Sequence, residues 1–230
     1  MYIDTYENAI DSLESVVLFL QREDNLKWKW IVLSLYHCLY MFCVANLQGT
    51  NYNRVISKGK DDEETTYIKK DNEKWKRSKK IKISERGAYK LEWKEIESEP
   101  IVSDGKVKYG AKREKLIGFW TALARVQDGE CWMYQYIFSN PLELTEHQLI
   151  SIEYLVEYRN EYSHFIPISS MSGVKKFAEI GIDVLDVIKF LALETGNILY
   201  HDHEEAKMRI NKSIDIIKEK FNKIIKNENN

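Results

Sequence analysis

Three residues that could cleave a phosphodiester lie close together in the segment LVEYRNEYSHFIP: Arg159, Asn160 and His164. Apolar residues recur ahead of them at helical spacing, among them Ile152 and Leu155, and Arg159 takes the next position on that apolar stripe. Burying an arginine is costly unless it binds an anion or faces an interface. An arginine that binds phosphate, beside a histidine that exchanges protons near neutral pH, is what metal-free phosphodiester cleavage requires.

The geometry of this segment leaves two explanations open. Pro167 ends the helix soon after His164, and an imidazolium is favoured near a helix C-terminus. In an ideal helix, residues five apart point about 140° apart, so Arg159 and His164 do not share a face, whereas Asn160 and His164 do. The reach of the arginine, distortion ahead of the proline, or a two-fold dimer would bring both groups to one pocket. In the purely structural explanation, Arg159 pairs with a buried carboxylate and His164 caps the helix end.

Two other segments with histidine are weaker candidates. HDHE, residues 201–204, offers imidazoles and carboxylates, but a metal site needs a further ligand, and no residue at a familiar spacing supplies it. A turn between two helices, with Asp202 as the N-cap of the second, explains the HDHE segment equally well. His37 is interpreted as a core residue or as one partner of a polar pair. Because the chain also lacks the phosphate-loop, zincin and serine-hydrolase motifs, we predict no metal and no cofactor.

At Arg159, Asn160 and His164 the sequence resembles the HEPN superfamily, whose ribonuclease members carry an arginine and a histidine separated by four to six residues. In that family Asn, Asp or His often follows the arginine directly. The segment WKWIVLSLYHCLYMFCVANLQGTN is also similar to the early helices of plasmid- and defence-associated members. The resemblance covers residues 1–50 and 114–226 and leaves the segment between them unassigned.

The resemblance implies a helical-bundle, metal-independent endoribonuclease that acts on RNA as a homodimer with a composite active site. His164 would be the general acid or base, Arg159 would bind the phosphate and Asn160 would orient the site. Members of this kind serve as toxins or anti-phage effectors, which implies an antitoxin or regulatory protein as partner. Ile166 stands where some toxins carry a tyrosine that their antitoxin adenylylates, so that mode of control is not expected here.

A non-catalytic binding module for RNA, a nucleotide or a protein remains the alternative, and a structural helical protein is a third option.

The elements that would position this site are helices. Apolar periodicity predicts an all-α, HEPN-like bundle of about six helices in a single domain, residues 1–230. The second helix, from about Trp28 to Leu47, is apolar nearly all round and is expected in the middle of the bundle. Helix starts are predicted at three capping pairs, and a further helix is expected from Val174 to about Tyr200. The capping pairs are Asp4 with Glu7, Thr145 with Gln148, and Asp202 with Glu205.

A small, charged, β-containing insertion is predicted at about residues 52–113. Alternating residues on both sides of SERGA predict a hairpin, Asp104–Gly105 favours a second tight turn, and a helix is expected near Glu63–Lys80. From Asn53 to Lys115 there are 19 basic against 13 acidic residues, a net charge of +6 within a chain of net charge −2. This asymmetry favours an anionic partner such as nucleic acid, although a solvated insertion of mixed charge also accounts for it.

Composition restricts the cellular setting. The chain has 230 residues of which 44% are hydrophobic, enough for a packed core. It lacks a continuous apolar run of 18 residues and a basic leader followed by an apolar core, so we expect no membrane span and no signal peptide. The 3 cysteines lie in apolar or aromatic surroundings, typical of reduced thiols. These features predict a cytoplasmic protein.

Overall fold

The computed structural model of the chain describes residues 4–49, 52–57, 67–70, 74–96, 115–133, 138–163 and 173–227. This part of the chain forms six α-helices with short antiparallel strands between the second and third, which confirms the predicted helical bundle with a β-containing insertion. The helices are α1 (Thr5–Leu20), α2 (Lys27–Gln48), α3 (Phe119–Val126), α4 (Glu146–Ser163), α5 (Val174–Leu193) and α6 (His203–Asn227).

Helix α2 lies in the middle of the bundle, as its apolar sequence predicts. It packs against α1, α3, α4 and α5, and it ends at Gly49, whose φ of 47° suits a residue without a side chain. By length and composition α2 could cross a membrane, but 61% of its most apolar window is buried inside the fold. Contacts with four helices therefore account for its apolar character.

Two of the three predicted capping pairs form hydrogen bonds. The Thr145 side chain accepts from the Gln148 backbone N–H at 3.2 Å and the Gln148 side chain accepts from the Thr145 N–H at 3.0 Å, at the start of α4. Asp202 accepts from the backbone N–H of Glu205 at 3.0 Å at the start of α6. Asp4 is the N-cap of α1 as expected, but its side chain makes no capping hydrogen bond.

Close packing of α5 on α6 depends on a glycine. A Cβ at Gly181 would lie 2.3 Å from the ring of the buried Phe221, so only glycine admits the ring at this point. The prediction that this helix runs to Tyr200 was wrong, because α5 ends at Leu193. Gly196 then adopts φ +76°, with the Phe138 carbonyl so close that an added Cβ would lie 2.7 Å away, and the chain turns there.

The insertion is built on two small sheets. Strands β1 (Ile56–Ser57) and β5 (Lys115–Leu116) pair at its base, which brings the two ends of the predicted insertion together. Strands β2 (Tyr67–Lys70), β3 (Lys74–Lys82) and β4 (Tyr89–Ile96) form an antiparallel sheet in that order. The β3–β4 hairpin around SERGA is confirmed. The helix expected near residues 63–80 was wrong, since β2 and β3 occupy the described part of that range; the Asp104–Gly105 turn lies outside the described residues.

Helix α3 and the loop after it hold the β3–β4 hairpin on the bundle. The Trp93 indole donates to the Asp128 carboxylate at 2.7 Å, and the Tyr89 hydroxyl bonds Thr121 at 2.8 Å. Lys76 forms an ion pair with Glu130 at 2.8 Å. Burial raises the pKa of Asp128, and the Trp93 hydrogen bond partly opposes that rise. The insertion is thus attached to the helices through specific polar contacts.

Candidate functional site

Helix α4 carries two of the three predicted catalytic residues, Arg159 and Asn160. His164 follows the last described residue of this helix and lies outside the described residues, as do Ile166 and Pro167. Arg159, Asn160 and the residues around them form the described part of the predicted site.

Arg159 lies at the edge of the core, where α4 meets α2. Its guanidinium carbon is 4.8 Å from the centre of the Tyr36 ring, and the residue is half-buried. A cation over an aromatic face is attracted by the ring electrons and keeps its N–H donors, and such contacts contribute about 0.5–2 kcal/mol. This explains how an arginine follows the fully buried Ile152 and Leu155 on the apolar stripe.

The purely structural explanation requires a carboxylate beside Arg159. Within the described ranges, none lies within ion-pair distance of its guanidinium. Its Nη1 instead donates to the Asn160 Oδ1 at 3.0 Å. Since a guanidinium carries five N–H donors, this bond leaves others for an anion. Asn160 is exposed, so this hydrogen bond lies at the surface of α4.

The Tyr36 ring that contacts Arg159 belongs to an aromatic cluster. The rings of Tyr36 and Phe119 are 5.1 Å apart, and Tyr40 packs against both, at 6.2 and 6.0 Å. The Tyr40 hydroxyl donates to the Ile117 carbonyl. Burial raises the pKa of Tyr36 and raises that of Tyr40 to about 12, so both phenols stay protonated at neutral pH. They provide a platform for the guanidinium and not a base.

A second arginine approaches α4 from the insertion. Arg86, in the β3–β4 turn, places guanidinium nitrogens 3.8 Å from Glu153 and 3.5 Å from Glu157. Positions 153, 157 and 160 lie on one face of a helix, so Arg86 is on the side of α4 that carries Asn160. Glu153 is 6% exposed, and its Oε1 has no hydrogen-bond partner in the described part of the chain. The turn is therefore held on α4 by charge, at separations longer than a hydrogen bond.

Tyr154 lies between two cations on the neighbouring face of α4. The Arg86 guanidinium carbon is 4.5 Å from its ring centre, and the Lys176 ammonium at the start of α5 is 4.0 Å from it. Hydrogen bonding from Arg86, and next from Lys176, lowers the pKa of the Tyr154 phenol. Together with Arg159, these contacts give the surroundings of α4 three cations packed on aromatic rings, an arrangement suited to an anionic ligand with flat groups.

No protein-family model, curated protein or solved structure matches the chain. The resemblance to HEPN proteins thus rests on Arg159, Asn160, His164 and the sequence of α2.

The residues that complete this surface, Tyr36, Arg86 and Lys176, were not predicted as site residues. Each comes from another element, α2, the β3–β4 turn and α5 respectively, so spacing along α4 carries no signal for them. Tyr36 does stand one helical turn before Tyr40 in SLYHCLY, which would have placed two aromatic rings on one face of α2.

The other histidines have local explanations. His37 Nδ1 lies 2.7 Å from the Ser12 hydroxyl, which confirms the interpretation as one partner of a polar pair. Burial lowers the pKa of His37 and so favours its neutral form. His201 and His203 are exposed around the cap of α6. Among the described residues there is no group of three His, Cys, Asp or Glu that could hold a metal ion.

A cavity of about 220 Å³ lies between the start of α1, the end of α2 and residues 197–199. Asp4, Thr5, Gln48 and Asn197 contribute polar groups to its lining. The Thr5 hydroxyl already bonds the Gln48 side chain at 2.9 Å. Since α2 rises about 1.5 Å per residue, this cavity is separated from the contact of Arg159 with the middle of α2. It takes no part in the candidate site.

Proposed function

We propose that this protein is a metal-independent endoribonuclease whose catalytic residues are Arg159, Asn160 and His164. The observation that carries the proposal is the state of Arg159: it is stacked on Tyr36, it is bonded to Asn160, and no carboxylate in the described part of the chain neutralises it. A fixed guanidinium with free donors binds a phosphate and stabilises the charge that develops in the transition state.

The reaction is an internal transesterification. The 2′-hydroxyl of the ribose attacks the adjacent phosphorus, a new P–O2′ bond forms and the P–O5′ bond breaks. One proton leaves the attacking hydroxyl and one reaches the departing O5′, so the products are a 2′,3′-cyclic phosphate and a 5′-hydroxyl. His164 acts as general acid or base, Arg159 binds the non-bridging oxygens, and Asn160 holds the arginine in place.

We include in the proposal the homodimer with a composite site that the HEPN resemblance implies. One proton is removed and another is supplied in a single turnover, and a two-fold pair brings two copies of His164 to one pocket. A cytoplasmic RNase of this kind needs restraint, which we assign to an antitoxin or regulatory protein, with a role as a toxin or anti-phage effector.

The deciding experiment compares wild-type protein with His164→Ala and Arg159→Ala on total RNA, in the presence of EDTA. Both variants should lose cleavage, and the wild type should generate ends with 2′,3′-cyclic phosphate and 5′-hydroxyl. His147→Ala is the matched control, since His147 is an exposed histidine in the first turn of the same helix. Undiminished cleavage by His164→Ala, or a strict need for a divalent metal, would overturn the proposal.

A non-catalytic binding module is the second candidate. It is favoured by the Arg159–Asn160 bond and the aromatic platform, which would hold a phosphate and a base without any proton transfer. In that case wild-type protein and His164→Ala would bind RNA or a nucleotide equally, Arg159→Ala would bind it weakly, and none would cleave it.

A further inference from the structure

The β3–β4 hairpin has two faces with different roles. The strands pair in register from Trp75 opposite Ile96 to Lys82 opposite Tyr89, and alternate residues point to opposite faces. One face packs on α3 and the loop after it. That face carries Ser78 and Trp93, directly opposite each other, with Ser78 2% exposed.

The cations on the packed face have local partners. Lys76 is paired with Glu130, and the Lys80 ammonium lies 4.7 Å from the centre of the Tyr89 ring. Lys76 has a side chain that is only 14% exposed. These residues attach the hairpin to the bundle and are not available to an external ligand.

The outward face is basic and open to solvent. On the two strands it carries Arg77, Lys79, Lys90 and Lys94, all exposed, against one carboxylate, Glu92. Lys79, Lys90 and Lys94 form no ion pair with any residue that the structure describes.

Two cations of this face stand directly opposite each other. Arg77 on β3 is the register partner of Lys94 on β4. Two cations side by side concentrate positive charge at this point of the face. On each strand, residues of one face repeat every two positions, about 6.6–6.8 Å, so the cations form short parallel rows.

We propose that this outward face binds the sugar–phosphate backbone of single-stranded RNA and leads it to the Arg159 site. The choice of RNA rests on the proposed function. Charge complementarity supports a polyanion, because the face carries four cations and one acid. The hairpin turn reaches α4, where Arg86 lies beside Glu153 and Glu157 on the face of Asn160. RNA held along the hairpin would therefore meet the helix that carries the catalytic residues.

The test measures binding apart from cleavage. In a His164→Ala background, Lys79, Lys90 and Lys94 are changed together to Gln, and the Kd for a labelled single-stranded RNA is measured at several salt concentrations. Each phosphate contact on a single strand contributes about 0.7 to the salt slope, so the slope should fall by about 2, with at least a roughly tenfold loss of affinity at low salt.

The matched control changes three exposed lysines of α6, Lys207, Lys220 and Lys226, to Gln in the same background. Its affinity and salt slope should stay at the level of the His164→Ala parent, and both triple variants should keep the parent's circular dichroism and Tm. The inference is overturned if the hairpin variant binds RNA as tightly as the His164→Ala parent, or if the control variant loses as much affinity as the hairpin variant.

Two further experiments distinguish RNA binding by this face from binding of acidic polypeptides and from the proposed ribonuclease activity. Polyglutamate of matched charge serves as competitor: displacement as effective as that by unlabelled RNA would show a site for acidic polypeptides and overturn the RNA assignment. Cleavage by the wild type is measured separately. Loss of binding in the hairpin variant with no cleavage by the wild type would uphold the RNA-binding face while refuting the ribonuclease.

Discussion

The guanidinium of Arg159 lies over the ring of Tyr36, with 4.8 Å between Cζ and the ring centre. This contact joins α4 to α2 at the edge of the core and places the guanidinium over an aromatic face. The guanidinium also donates to the Oδ1 of the adjacent Asn160 at 3.0 Å. A phosphate would meet donors that are oriented before it binds, which is the condition for strong electrostatic stabilisation of a transition state.

Arg159→Lys should retain the fold and lose most of the cleavage. Lysine keeps the charge but lacks the planar fork that stacks on Tyr36 and binds two phosphate oxygens. Loss of a preorganised donor of this kind lowers the rate by about 10²–10³. Cleavage of a defined RNA, measured together with Tm, checks this outcome, and a lysine variant as active as the wild type would show that charge alone suffices.

The role of the Tyr36 ring can be separated from that of its hydroxyl. Tyr36→Phe keeps the aromatic surface. It should bind RNA as tightly as the protein with Tyr36, because the hydroxyl stays neutral and takes no part in the proposed reaction. Tyr36→Leu removes a contact worth about 0.5–2 kcal/mol and should weaken RNA binding by roughly 2- to 30-fold.

The specificity of this effect is measured in a His164→Ala background by combining each Tyr36 change with Arg159→Ala. Once the guanidinium is gone, Tyr36→Leu should weaken binding no further. An undiminished effect of Tyr36→Leu in the absence of Arg159 would mean that the ring acts on its own, through the core or by direct stacking on RNA.

The elements that sequence predicts well are those decided by neighbouring residues. The reciprocal bonds of Thr145 and Gln148 span three positions, so the start of α4 could be predicted from the letters alone. Residues 63–80 are rich in Lys and Glu, which favour helices, yet the hairpin extends back from the SERGA turn and pairs residues 75–80 with β4.

The site was only partly predictable for the same reason. The apolar stripe pointed to Arg159, but what covers its guanidinium is Tyr36, more than a hundred residues earlier in the chain. Arg86 reaches α4 only because the insertion folds back onto the bundle, and its separation of 3.5 Å from Glu157 has no signature in the sequence. Contacts between distant segments depend on packing, which residue spacing does not encode.

Acid should weaken the junction of α1 and α6. Arg209 donates to both carboxylate oxygens of Glu14, at 2.9 and 2.8 Å, and to Glu7 at 2.9 Å. The hydrogen bond from Arg209 lowers the pKa of Glu14, so the stabilisation is fully present above the pKa of the unfolded glutamate, about 4.3, and is lost as pH falls through the folded value.

Glu14→Gln tests this pH dependence. At pH 7 it should lower the free energy of unfolding by about 0.5–1 kcal/mol, since the pair is partly exposed and screened. The difference from the wild type should shrink as the pH falls below about 4. Denaturant unfolding at several pH values measures this difference in the free energy of unfolding. The control is Glu219→Gln, which removes an exposed ion pair on α6 and should change the free energy of unfolding little. A difference that does not change with pH would contradict the assignment to Glu14.

Trp93→Phe should loosen the insertion without altering the bundle. The change keeps an aromatic ring on the packed face of the hairpin but removes the indole N–H that donates to Asp128 at 2.7 Å. Loss of a hydrogen-bond donor to a buried carboxylate lowers the free energy of unfolding by about 1–3 kcal/mol. Since burial raises the pKa of Asp128 and the Trp93 bond opposes that rise, the variant should raise it further, and the cost should grow as pH rises and Asp128 ionises.

Limited proteolysis of the hairpin measures this loosening, with Trp30→Phe on α2 as the control, since Trp30 is exposed and lies outside the contact. Cleavage by trypsin should be faster in Trp93→Phe at pH 8 than in the wild type, with a smaller difference at low pH probed by an acid-active protease. Because the hairpin also positions Arg86 against α4, RNA binding should weaken in parallel. Faster proteolysis with unchanged RNA affinity would separate the attachment of the hairpin from its proposed role in guiding RNA.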